Sequence, residues 1–104
     1  MITPARELND GNSLPAIGFG TYLLNGDEGT DAVLSAIECG YRLLDTALNY
    51  ENEEQVGEAV RRSGVPREEI ALATKLPGRF HGFEETIAGF EESRKNLGVE
   101  YVDL

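Results

Sequence analysis

Three times along this chain a short apolar run gives way to a polar loop and then to apolar residues at helical spacing, and each helical stretch stops at a glycine. The first run is IGFG, residues 17–20, followed from about Asp27 to Cys39 by Val33, Leu34 and Ile37 at helical intervals, with Gly40 as the stop. The second strand is then Tyr41 to Asp45. A helix opening at Asn52 carries Val56, Ala59 and Val60 on one stripe and ends at Gly64. In that helix the sequence predicts a capping box, with the Asn52 side chain closing the first turn and Gln55 reaching back. The third strand is IALATK, residues 70–75, apolar as expected of a strand covered on both faces. A third helix places Phe83, Ile87, Phe90 and Leu97 at intervals of three, four and seven and is closed by Gly98, after which YVDL begins a fourth strand. Strands that alternate with helices in this way form parallel pairs joined by right-handed crossovers. Ahead of them, residues 5–16 hold two short alternating stretches around Asn9, Asp10, Gly11 and Asn12. Asp-Gly supplies the positive φ that a tight hairpin turn requires.

Two architectures suit this order: an open, doubly wound sheet, or part of a closed eight-stranded barrel. The open dinucleotide-binding sheet calls for G-x-G-x-x-G after the first strand. Here Gly18 and Gly20 are followed by Leu23 at the third glycine position. The barrel makes a sharper prediction, that useful side chains gather at the C-terminal tips of successive strands. Asp45 ends the second strand, Lys75 ends the third, and Tyr50 lies in the loop after Asp45. Neighbouring strands run ~4.8 Å apart, within reach of an ion pair between inward-facing Asp45 and Lys75. An ammonium beside a phenol favours phenolate and so eases proton donation to a carbonyl oxygen that is gathering negative charge. That suits a reaction such as hydride addition from a nicotinamide; the side chains perform no hydride chemistry themselves, so a cofactor must supply it. A buried Asp-Lys pair beside a tyrosine can also be a fold-specifying ion pair with no chemistry.

The chain has 104 residues, enough for one small domain. Nine lysines and arginines stand against 19 acids, a formal charge of -10, which repels nucleic-acid backbones and anionic membranes. Arg61, Arg62 and Arg67 straddle a helix end, where they offset the helix dipole. The single cysteine, Cys39, forms no intrachain disulfide and reads as a buried filler, and no metal-ligand spacing surrounds it. MITPAREL lacks the basic start and apolar core of an export signal, and no apolar run reaches the ~20 residues of a membrane span, so the expected location is the cytoplasm.

GYRLLDTALNYENEEQVGEAV resembles the signature of the aldo-keto reductases, matching at Gly40, Tyr41, Arg42, Asp45, Thr46, Ala47, Tyr50, Asn52, Glu53, Val56 and Gly57. ATKLPG is similar to the family's strand-three lysine segment, and LPAIGFGTY to its first barrel strand. The opening hairpin resembles the plug at the bottom of the family's barrel. The resemblance implies a (β/α)8 barrel of which residues 1–104 are the N-terminal half: a bottom-closing hairpin at 5–16 and a βαβαβαβ run at 17–104. It implies an NADPH-dependent reduction of aldehydes or ketones in which Tyr50 is the proton donor, Lys75 assists it, and Asp45 holds Lys75 near the nicotinamide ribose. Gly20, Thr21 and Tyr22, with Asp45, would line the cofactor. Tyr22, Leu48 and Tyr50 would line the substrate.

A barrel of this kind needs ~250 residues. The family's catalytic histidine and most of its grip on the cofactor phosphates therefore fall beyond Leu104. The one histidine, His81, reads as a solvated loop residue without a catalytic role. This segment alone is expected to lack turnover and to self-associate through open strand edges, whereas the whole protein is expected to be a monomer. Two other readings stand at this point: a non-enzymatic barrel of the same family that keeps its pocket for binding or structure, and a self-sufficient open-sheet binding domain.

Overall fold

A computed structural model describes residues 4–104. Residues 1–3, the head of the MITPAREL segment, lie outside them. Strands β1 (Ala5–Glu7) and β2 (Ser13–Pro15) pair antiparallel, with Arg6 opposite Leu14. The turn between them is set by Gly11 at φ 87° and by the Asp10 carboxylate, which accepts from the Asn12 backbone N–H at 3.0 Å. Beside the hairpin lie Glu68, Glu69, Ile70 and Ala71, at the N-terminal end of the third parallel strand, so it sits at the bottom of the sheet.

The parallel sheet is built from β3 (Phe19–Gly20), β4 (Leu43–Asp45) and β5 (Ala71–Ala73), in that spatial order. Phe19, Leu44 and Leu72 are register partners, as are Gly20, Asp45 and Ala73. Partners in register share a face, so Leu44 and Leu72 point one way, and Asp45, with Gly20 and Ala73 beside it, the other. Three helices, α1 (Gly26–Glu38), α2 (Glu53–Ser63) and α3 (Phe83–Leu97), connect and follow these strands. One core joins Leu44 and Leu72 to Val33 and Ile37 of α1, to Val56, Ala59 and Val60 of α2, and to Leu97 of α3. All three helices therefore cover the same sheet face. A doubly wound sheet places helices on both faces and reverses its strand order at a switch point. Strands in sequential order with helices on one side are the start of a barrel, and this sheet is unclosed.

Several expectations are corrected. Asn52 occupies the N-cap position of α2 but makes no side-chain cap; its amide is used elsewhere, and the Gln55 Oε1 atom is buried without a partner. Cys39 is exposed, because it follows α1 on the solvent side just before Gly40 turns the chain. In α3 the apolar stripe is not the buried one. Phe83, Ile87 and Phe90 are exposed, and the side facing the core carries Gly89, Ser93 and Leu97. Close approach accounts for the glycines on both helices: a Cβ on Gly89 would stand 2.6 Å from Leu76 and 2.8 Å from Phe80, and a Cβ on Gly57 of α2 would stand 2.1 Å from the Leu97 carbonyl oxygen. YVDL forms no regular strand. Leu104 donates to Leu72 O at 3.2 Å and accepts from Thr74 N–H at 2.9 Å, a single parallel rung. The next rung is pre-empted because the Asp103 carboxylate takes the Leu72 N–H at 2.9 Å.

The basic residues near the end of α2 are each committed to a partner. Arg61 Nη1 donates to Leu97 O at the end of α3, Arg62 lies 3.7 Å from Asp31, and Arg67 pairs with Asp103 at 3.0 Å. Among the described residues no helix is long and apolar enough to cross a membrane. Replacing Gly57 with alanine is expected to destabilise the fold by about 2 kcal/mol or more, since the new methyl meets backbone that cannot swing aside. A urea-denaturation midpoint unchanged from wild type would show that the α2–α3 crossing can open.

Candidate active site

At the C-terminal tips of β4 and β5 the register brings together two of the predicted residues. Asp45 is the last residue of β4, and Lys75 lies two residues beyond the end of β5. Lys75 Nζ donates to Asp45 Oδ1 at 2.7 Å and to the Thr46 carbonyl at 3.0 Å. After Asp45 the chain turns through a short 3-10 segment, Leu48–Tyr50, and exits by Glu51 in the left-handed region at φ 57°. This tight return places the Tyr50 ring 5.1 Å from Lys75 Nζ, centroid to nitrogen. From the other side the Tyr22 ring meets the Tyr50 ring at 5.1 Å between centroids and 57° between planes, a tilted aromatic pair. Asp45, Lys75, Tyr50 and Tyr22 thus form one cluster on the rim of the sheet.

The electrostatics favour a charged lysine. Burial works against the Lys75 ammonium, but the hydrogen bond and charge of Asp45, with a further contribution from Tyr50, hold it above the ordinary lysine value. Both members of the pair remain about half exposed, 51% for the Lys75 side chain and 47% for Asp45, so solvent reaches the ammonium and its phenol neighbour.

Other predicted residues take different places. Gly20 is exposed beside Asp45, and the position of its missing Cβ has nothing within 4 Å. Thr21 is fully buried, and its hydroxyl donates to the Asp45 carbonyl at 3.0 Å. Leu48 is buried away from the cluster and borders a separate concavity of about 260 Å³ with Glu53, Arg79 and Asn96. His81 is an exposed loop residue whose Nε2–H donates to the Leu76 carbonyl at 3.0 Å. A concavity of about 510 Å³ is lined by Val60, Val65, Val99 and Tyr101, among others, near the C-terminal ends of α2 and α3. It lies apart from the strand tips, and the arginines beside it, Arg61 and Arg67, are already engaged.

Sequence reasoning missed the buried polar support. Thr46, Asn52 and Glu53 are almost fully buried. Glu53, only 2% exposed at the first turn of α2, accepts from Thr74 Oγ1 at 2.7 Å and from Asn96 Nδ2 at 3.2 Å, tying β5's exit and α3 to the start of α2. A signal for it existed: Glu53 lies three and seven residues before Val56 and Val60, on the same helical stripe.

The Asp45–Lys75–Tyr50 cluster thus stands on the rim of an unclosed parallel sheet that carries helices on one face, the start of a barrel. The aldo/keto reductase family model matches residues 16–104, and the chain belongs to that family. It is 52% identical over 101 residues to 2,5-diketo-D-gluconic acid reductase B of Corynebacterium sp. (strain SHS752001), covering 97% of this chain and 36% of that protein. The crystal structure of an aldo/keto reductase from Brucella melitensis superposes with a TM-score of 0.92 at 45% identity, covering 96% of this chain and 39% of the other. The Bombyx mori aldo-keto reductase in complex with NADP superposes with a TM-score of 0.90 at 38% identity, covering 98% and 36%. The chain therefore spans little more than a third of the length of these relatives.

Because Lys75 is raised above 10.5 in the folded protein, the pair's stabilisation is fully present below that pH and is lost as pH climbs through the raised value. Lys75→Met is expected to cost less than ~1 kcal/mol at neutral pH, as for a half-exposed pair. The difference should shrink above pH 10.5. A stability gap that instead widens with rising pH, followed by denaturant titration of wild type and variant, would contradict the assigned pairing.

Proposed function

We propose that this chain is the N-terminal portion of an NADPH-dependent reductase that converts aldehydes or ketones of modest size to alcohols. The observation that carries this reading is the Lys75 ammonium, held at 2.7 Å by Asp45 and 5.1 Å from the Tyr50 ring, on a solvent-reached rim. Family membership and the NADP complex of the Bombyx mori relative support the choice of cofactor.

The residues present fit a nicotinamide. Gly20 leaves the sheet surface beside Asp45 open where a side chain would intrude, so a flat ring has access there. Gly20, Tyr22 and Asp45 would hold it, Asp45 with the carboxylate oxygen not committed to Lys75. Thr21 contributes by fixing the Asp45 backbone. When bound, the cofactor supplies the hydride that adds to the carbonyl carbon. Tyr50 gives its phenolic proton to the carbonyl oxygen as negative charge develops there. Lys75 stabilises the phenolate left behind, and Asp45 keeps the ammonium charged and aimed. Tyr22, lying against Tyr50, walls the substrate side. A fourth catalytic group and the phosphate-binding residues would come from chain beyond this segment. The whole protein acts as a cytoplasmic monomer on a small carbonyl compound.

The test follows NADPH absorbance with a simple aldehyde, using the whole protein that carries this segment. Tyr50→Phe is expected to lower kcat by ~100-fold or more while NADPH binding, read by fluorescence titration, is unchanged. Normal turnover in that variant would remove Tyr50 as the donor. Tight NADPH binding by the wild type without turnover of any aldehyde or ketone would replace the enzyme reading with that of a binding protein on the same barrel.

A further inference from the structure

Asn52 is fully buried at the mouth of α2, yet it does not cap the helix. Its Nδ2 donates to Thr21 O at 2.5 Å and to Leu24 O at 3.1 Å. Those two carbonyls bracket the dipeptide Tyr22-Leu23, in which Leu23 adopts a left-handed φ of 66°. A leucine pays a steric cost for that conformation, so the loop holds it only where its surroundings fix both ends. Carbonyls only accept, so the amide is oriented with nitrogen toward them, and its Oδ1 is left to accept from Thr46 Oγ1 at 3.1 Å. Thr46 follows Asp45, and the Asp45 carbonyl accepts from both the N–H and the hydroxyl of Thr21, at 3.1 and 3.0 Å. The hydrogen bonds therefore close a ring: Asp45 to Thr21, Thr21 to Asn52, Asn52 to Thr46, and Thr46 back to Asp45 through the peptide bond.

We propose that Asn52, oriented by Thr46, is a positioning residue that clamps the Tyr22-Leu23 turn and so sets the Tyr22 ring against Tyr50 at the substrate face. The proposal deepens the reductase reading and rests on it for its kinetic consequences. Tyr22 is 65% exposed, and beyond the Tyr50 ring the fold gives its side chain little to rest on. Its direction is inherited from the peptide that Asn52 holds. The Thr21 carbonyl belongs to the peptide plane that ends in the Tyr22 nitrogen; the Leu24 N–H closes the turn onto it at 3.1 Å, and Asn52 adds the bond that ties that turn to the start of α2 and so fixes the direction of the ring.

Asn52→Ala leaves the Leu24 carbonyl without its donor and the Thr21 carbonyl with only the Leu24 N–H at 3.1 Å, and can unfold the loop, so the decisive variant is Thr46→Val. This change keeps the shape of the threonine and removes the hydroxyl that orients the amide. Thr46→Ser restores the hydroxyl. In the whole protein, Thr46→Val is expected to lower kcat/KM for an aldehyde by ~10-fold or more, chiefly through KM, and Thr46→Ser to recover most of that loss. In a Tyr22→Ala background the same Thr46→Val change should cost no more than ~2-fold, since the ring it positions is gone. A readout independent of turnover is the NOE between the Tyr22 and Tyr50 rings, which should weaken in Thr46→Val and return in Thr46→Ser. Persistence of that NOE in Thr46→Val, or equal kinetic cost in both Tyr22 backgrounds, would overturn the clamp. A wild type that shows no carbonyl turnover, with the NOE lost in Thr46→Val as expected, would remove the reductase reading and leave the clamp standing.

Discussion

A slip of one residue in the pairing of β4 would turn Leu44 out of the helix-covered core and drive the Asp45 carboxylate among Val33, Val56 and Ile70. Burying an unpaired carboxylate costs several kcal/mol, and exposing a leucine forfeits ~2 kcal/mol more, so the register is strongly specified. That one constraint carries the geometry of the rim. With Leu44 inward to the helices, Asp45 must project from the opposite face, level with Gly20 on one side and Ala73 on the other. Both of those neighbours are small. The carboxylate is therefore free of lateral crowding and can meet Lys75, which arrives two residues past the end of β5.

What the sheet register fixes in one direction, buried polar groups fix in the others. Loops that follow parallel strands are free to move unless something ties them down. Here the ties are side chains sealed from water: Asn52 joins the loop after β3 to the turn after β4, and Glu53 joins the start of α2 to Thr74 and to Asn96 of α3. In a low-dielectric setting such bonds gain strength when every partner is satisfied and are costly when one is lost. Two adjacent residues thus connect three successive strand exits, which explains why a polar pair stands where an amphipathic helix would ordinarily begin with solvent-facing caps.

The order of elements was legible because apolar periodicity and glycine stops are local signals. IGFG, YRLLD and IALAT gave the three parallel strands, and Gly40, Gly64 and Gly98 marked the ends of the helices, each at positive φ. Asp45, Lys75 and Tyr50 were legible for a similar reason, since their places relative to strand ends follow from spacing. What the sequence concealed was long-range. Asn52 reads locally as a cap, and only the loop after β3, some thirty residues earlier in the chain, shows that its amide has better partners. In α3, hydrophobicity pointed to Phe83, Ile87 and Phe90, but distance decided otherwise. Gly89 and Ser93 take the inner face, and a Cβ on Gly89 would stand 2.6 Å from Leu76 and 2.8 Å from Phe80. Leu48 is buried and borders a concavity with Glu53, Arg79 and Asn96.

The half-exposed Asp45–Lys75 pair adds little to stability, because water screens it and both side chains must be held in one geometry. The stability of this segment resides on the other face of the sheet, in Leu44, Leu72 and the helix residues packed on them. Chemistry and folding are thereby separated across a single layer of strands. A change of charge on the rim leaves the core untouched, while the core dictates through register where the charges stand. The Asp45–Lys75 pair is thus held in place by strand register and by the Lys75 hydrogen bond to the Thr46 carbonyl, not by burial.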